Sequence, residues 1–189
     1  GMLQDIIPGT EQHLKNNKSL GYIGFDPTSD SLHVGSLVPI FILMHFQKYG
    51  HTPVVLLGGA TGMIGDPSGK SDERKLLDKD VLDYNFKKLK KQFEKFLDFD
   101  SKKGNSAILL NNYDWMSKFS IIEFSRNIGK HITINYMMAK DSVKKRIGKE
   151  STEGMSFTEF TYQLIQGYDF LYLYQKMNCT LQMGGSDQW

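Results

Sequence analysis

The chain has 189 residues, enough for one α/β domain with its own core. Hydrophobic residues make up 40% and charged residues 23%, an ordinary globular balance, and a net charge of +2 is too small to argue alone for nucleic acid. The single cysteine, Cys179, excludes an intrachain disulfide and a cysteine cluster for zinc, and fits a reducing, cytoplasmic setting.

The longest apolar run, Val38 to Met44, contains a proline and falls far short of the ~20 residues that cross a bilayer. Taken in chain order, Leu20 to Phe25 reads as a strand broken by Asp26-Pro27. A helix is predicted from about Ser31 to Tyr49, with Leu32, Leu37, Ile40, Phe41, Met44 and Phe46 as its apolar surface and Gly50 as its stop. Pro39 falls inside it and should remove one backbone bond to Gly35. Pro53 to Leu57 is a second strand, followed by the glycine-rich Gly58 to Gly69. Strand, helix, strand forms a βαβ unit and predicts a parallel sheet.

Asp80 to Phe99 shows Leu82, Phe86, Leu89, Phe93 and Phe96 at helical spacing. Lys87, Lys88, Lys90, Lys91 and Lys95 read as its solvated face. Ala107 to Leu110 is a third strand, and Asn111 to Gly148 is largely helical. Ser156 and Glu159 form a capping box that opens a helix running to about Met177. Cys179 to Met183 is a fourth strand, leading into Gly184-Gly185-Ser186-Asp187. The fold class is α/β, a parallel sheet with flanking helices, which places ligands at the carboxyl ends of the strands.

Four segments at those ends carry chemistry. Pro27 to Ser36 joins the first strand to its helix, where free N–H groups and positive dipole suit a phosphate. His33 could donate to phosphate oxygens, and Gly35 leaves room for a flat ring; a lone histidine on a helix often does neither. Gly58 to Ser71 resembles a P-loop but fails the test, because Ile64 stands where a glycine is required. It reads either as a surface loop or as a carboxylate, Asp66, for a substrate amine with Lys70 and Arg74 for a polyphosphate. Tyr162, Gln166 and Asp169 recur at i, i+4 and i+7 and share one face of an otherwise apolar helix. Such a stripe is a pocket wall or a satisfied structural network. Gly184 to Trp189 is a tight turn or a nucleotide contact through Asp187.

Together and in this order, these segments resemble the tyrosyl-tRNA synthetase family. Tyr22-Ile23-Gly24-Phe25-Asp26-Pro27-Thr28 with Leu32-His33-Val34-Gly35 looks like its version of the class I His-Ile-Gly-His signature. Gly58 to Lys70 and Gly184 to Trp189 resemble two further blocks. The resemblance implies a Rossmann-like fold and a tyrosine-tRNA ligase that joins L-tyrosine to ATP and then to tRNA(Tyr). It implies Tyr22 and Asp169 at the substrate hydroxyl, Asp66, Tyr162 and Gln166 at its ammonium group, and Asp26 and Gln188 near its carboxylate. Thr28, His33, Lys70 and Arg74 are implied in catalysis at the phosphates. Gly24, His33, Gly35, Gly185 and Asp187 are implied in ATP binding, with Mg2+ accompanying ATP. No protein metal-ligand set is expected.

The family also implies a homodimer contacting through a helical insertion, here about 111–157, in a cytoplasmic enzyme without membrane association. Two departures stand out. Ser36 replaces the second signature histidine, and no Lys-Met-Ser-Lys-Ser-like loop follows Trp189, so the family's closing loop and anticodon-binding region are expected to lie outside this chain. Activity of these residues alone is therefore expected to be impaired. A tryptophanyl-type synthetase and a non-catalytic tyrosine-binding fragment are the competing readings.

Overall fold

The computed structural model describes residues 3–65, 77–140, 143–144 and 155–185. Four strands form one parallel sheet: β1 (Leu20–Phe25), β2 (Thr52–Leu57), β3 (Ile108–Asn111) and β4 (Cys179–Gln182), in the order β3-β2-β1-β4. Tyr22 pairs with Val54 on one side and Gln182 on the other, and Leu57 pairs with Asn111. The register between β1 and β4 shifts between Leu20 and Gly21.

Alternation along β1 and β2 divides the core in two. Ile23, Phe25, Val55 and Leu57 point to one face, where Ile40, Leu43, Leu89 and Phe93 cover them. Tyr22, Val54 and Leu56 point to the other, where Trp115, Ile165 and Leu173 cover them. The first face is roofed by helices α2 (Leu37–Lys48) and α4 (Lys79–Phe93). The second is roofed by α5 (Tyr113–Met116) and α8 (Phe157–Met177). A sheet covered on both faces explains why β2 is buried from Pro53 onward. Outside this frame lie α1 (Thr10–Asn16), α3 (Gly59–Ile64), α6 (Ile121–Asn127) and α7 (Ile134–Met138).

Several expectations need correction. The helix expected from Ser31 begins at Leu37, after a 3-10 turn at Val34–Ser36. Pro39 is then the third helical residue, where its missing N–H would have had no intrahelical partner, so it interrupts nothing. The glycine-rich segment is not loop from its start, since Gly59–Ile64 is helical. Asn111 Oδ1 accepts from the Gly59 N–H (3.1 Å) and Asn112 Oδ1 from the Ala60 N–H (2.7 Å), satisfying the helix start from another strand. Helix α4 ends at Phe93 rather than Phe99. The exposed Lys87, Lys88, Lys90, Lys91 and Lys95 do form an outward face. In the stretch expected as a helical insertion, Ile121, Ile122, Ile134 and Tyr136 are exposed, whereas Ile128, Met137 and Val143 are buried.

Candidate active site

The strand order reverses at β1, and in open parallel sheets such a switch point sets the ligand site outside the carboxyl ends of the strands, here β1 and β4. Asp26 follows β1, Gly58 and Thr61 follow β2, Asn112 follows β3, and α8 crosses behind them with Tyr162 and Asp169 buried.

Asp169 is 3% exposed. Its Oδ2 accepts from Asn112 Nδ2 (2.9 Å) and its Oδ1 from Trp115 Nε1 (2.8 Å). Burial pushes its carboxyl up to about 7, while those two donors pull the other way and the Asp26 charge adds to the rise. The Tyr22 hydroxyl is buried beside it and has no hydrogen-bond partner among the described residues. The side chain of its cross-strand neighbour Gln182 stands close without reaching hydrogen-bond geometry. Burial first, and the Asp169 carboxylate second, hold this phenol far above the usual range, so it stays protonated. A buried hydroxyl left unpaired costs about 1–3 kcal/mol. A ligand polar group reaching both Tyr22 and Asp169 would recover that cost.

Asp26 is held from two directions. Thr61 Oγ1 donates to its Oδ1 (2.6 Å), and Tyr162 Oη donates to its Oδ2 (3.2 Å). Asn112 Nδ2 also donates to Thr61 Oγ1 (3.3 Å), linking the two carboxylates into one network. Its direction is fixed by backbone: the Ala60 N–H occupies Asn112 Oδ1, so the amide nitrogen must face Asp169 and Thr61. Gly58 makes the closeness possible, because a Cβ there would collide with the Asp26 carboxylate and the Thr61 hydroxyl.

The connection from Asp26 to Ser36 carries the exposed Thr28, His33 and Gly35. The Thr28 N–H donates back to the Asp26 carbonyl (2.8 Å), a tight reversal at the strand end. The Gly35 N–H donates to His33 Nδ1 (3.0 Å). That bond leaves the neutral ring's proton on Nε2, as a donor toward solvent. A Cβ at Gly35 would stand 2.7 Å from His33 Cε1, so this glycine makes room for the histidine ring. His33 therefore caps a 3-10 turn in extended backbone rather than sitting in a first helical turn.

The structure brings Tyr22, Asp26, Tyr162 and Asp169 together. Gln166 is half-buried on the same helix, and Gly24 and Gly185 are exposed at strand ends. Asp66, Lys70, Arg74, Asp187 and Gln188 lie outside the described residues. Sequence reasoning missed Thr61, Asn112 and Trp115. The available signal was the Asn111-Asn112 pair directly after a predicted strand, with an indole N–H three residues on. Among the described residues, no group of three or more His, Cys, Asp or Glu could hold a metal ion, and no helix is long and apolar enough to cross a membrane.

Comparison with known proteins points one way. The chain is 63% identical over its whole length to a tyrosine–tRNA ligase of Flavobacterium psychrophilum and 62% identical to one of Porphyromonas gingivalis. It spans 44% of the length of each. A C-terminally truncated mitochondrial tyrosyl-tRNA synthetase of Aspergillus nidulans superposes with a TM-score of 0.78 at 36% identity, over 91% of this chain and 50% of that one. The corresponding Coccidioides posadasii protein gives 0.75 at 34%, over 94% and 49%. With residues 14–189 matching as well, the chain belongs to the family described as tRNA synthetases class I (W and Y).

Proposed function

We propose that this chain is the amino-terminal part of the catalytic domain of a tyrosine-tRNA ligase. The observation that carries the reading is the unpartnered Tyr22 hydroxyl beside the buried Asp169 carboxylate, a site suited to a substrate hydroxyl. The names of the relatives at 62–63% identity support it. An indole pocket needs no such pair, which disfavours the tryptophanyl alternative.

In this reading a carboxylate oxygen of L-tyrosine attacks the α-phosphorus of ATP. The bond from that phosphorus to the bridging oxygen breaks, and pyrophosphate leaves with the electron pair. The 3′-terminal ribose hydroxyl of tRNA(Tyr) then attacks the tyrosyl carbonyl and releases AMP. The nucleophiles belong to the substrates, so the protein's task is positioning and charge stabilisation. Tyr22 and Asp169 hold the phenolic hydroxyl. Asp66, Tyr162 and Gln166 hold the ammonium group, and Asp26 and Gln188 flank the carboxylate. Thr28 and the His33 Nε2–H meet the phosphates, with Lys70 and Arg74 countering their charge. Gly24, Gly35, Gly185 and Asp187 line the nucleoside. Mg2+ enters with the ATP phosphates. The exposed apolar residues of 111–157 form the contact of a homodimer, and the enzyme is cytoplasmic.

Calorimetric titration tests this directly. Tyrosine is expected to bind and phenylalanine to be rejected, because phenylalanine would leave the buried Tyr22 hydroxyl without a partner. Equal binding of the two would refute the pocket, and preferential binding of tryptophan would favour the other branch of the family.

A further inference from the structure

Helix α4 faces the sheet with an apolar stripe, but two amides interrupt that stripe at Asn85 and Gln92. They are seven residues apart, two turns, and so share one face. Both reach the connection that follows β1. Asn85 Nδ2 donates to the Pro27 carbonyl (2.7 Å). Gln92 grips two further points: the Leu32 N–H donates to its Oε1 (3.1 Å), and its Nε2 donates to the Asp30 carbonyl (3.1 Å). Three bonds, spanning 58 to 62 residues of sequence, thus fix the backbone at positions 27, 30 and 32.

That connection has little else to hold it. Thr28, Ser29, Asp30, Ser31 and His33 are exposed, and Leu32 is its one side chain packed against the core beyond the buried Pro27. The Asp30 carbonyl lies in a polar, exposed bond, where water could replace Gln92 at little cost in stability. Water could not hold the two backbone points of Asp30 and Leu32 at a fixed separation. The amide is therefore a geometric constraint more than a stabilising one.

We propose that Gln92, aided by the buried Asn85, is a positioning residue that sets Thr28 and His33 for the phosphates of ATP. The inference rests on the functional reading above, because it takes those two side chains as phosphate contacts. Gln92 touches no substrate itself and acts through the backbone it grips.

The test uses the protein with whatever sequence flanks these residues in place, and reads ATP–pyrophosphate exchange beside tyrosine titration. Gln92→Ala is expected to lower kcat/KM for ATP about tenfold, leaving tyrosine affinity and the thermal midpoint unchanged. Combined with His33→Ala, it should lower kcat/KM for ATP little beyond His33→Ala alone, because both act at one contact. Lys91→Ala, on the outer face of the same helix, serves as the control and is expected to change nothing. Unchanged ATP kinetics in Gln92→Ala, with tyrosine still bound, overturns the clamp and leaves the functional reading intact. Parallel losses for ATP and tyrosine with a lowered midpoint also overturn it, as a merely structural role. A wild-type protein that binds no tyrosine removes the functional reading and the clamp's assignment with it.

Discussion

At the scale of single residues, the buried Asp169 carboxylate owes its state to the chain around it. Asp169 has its carboxyl raised from an ordinary 3.8 to about 7, so between those values the folded protein binds more protons than the unfolded chain. Stability should then fall as pH rises from about 4 to about 7, and level off above. The loss attributable to this residue is of order 4 kcal/mol. Urea unfolding at pH 4.5 and 7.5 should show that decline in the wild type and a flatter profile in Asp169→Asn. An unchanged slope in the variant would mean that Asp169 is ionised throughout. Asp169 and Tyr162 were legible in the sequence because helical spacing is local. Thr61, Asn112 and Trp115 were not, because their roles exist only once three strand ends are brought side by side. Gly35 was read as space for a ring of the ligand, whereas the ring it admits within the protein is that of His33.

Elements were legible where their ends carry local chemistry. Helix α8 starts where its capping box predicts, with the Glu159 N–H donating to Ser156 Oγ and the Ser156 N–H to Glu159 Oε2, both at 3.2 Å. It stops at Asn178, whose φ of 54° few residues other than asparagine and glycine adopt easily. Ser156→Ala is expected to cost about 1 kcal/mol of stability in chemical denaturation; no loss would mean that the helix start is held by packing alone. Elements were misjudged where apolar spacing and hydrogen bonding part company. Phe96 keeps the rhythm of α4, yet its N–H bonds to the Phe93 carbonyl in a turn (2.9 Å). The glycines of α3 argue against a helix by propensity, and Asn111 and Asn112 override them from a distant strand.

For the whole molecule, an all-parallel sheet followed from strands alternating with helices, while the order β3-β2-β1-β4 required the structure. The insertion leaves Ile121 71% and Ile122 74% exposed, more apolar surface than a lone domain usually shows in one short helix. Ile122→Glu, in the protein with its flanking sequence, is expected to shift a dimer toward monomer in sedimentation without unfolding it. A dimer untouched by that charge would place the contact elsewhere. The pairing of β1 with β4 also has a consequence for how the protein is made. Strands β1 to β3 are complete once residue 111 has left the ribosome, but the fourth strand ends at Gln182. At usual translation speeds the roughly 70 residues between take about 4–14 s. Through that interval the face bearing Tyr22, Val54 and Leu56 lacks the helix that covers it. The wall bearing Tyr22 is thus the last part of the described sheet to be covered, and the part most in need of protection from premature association.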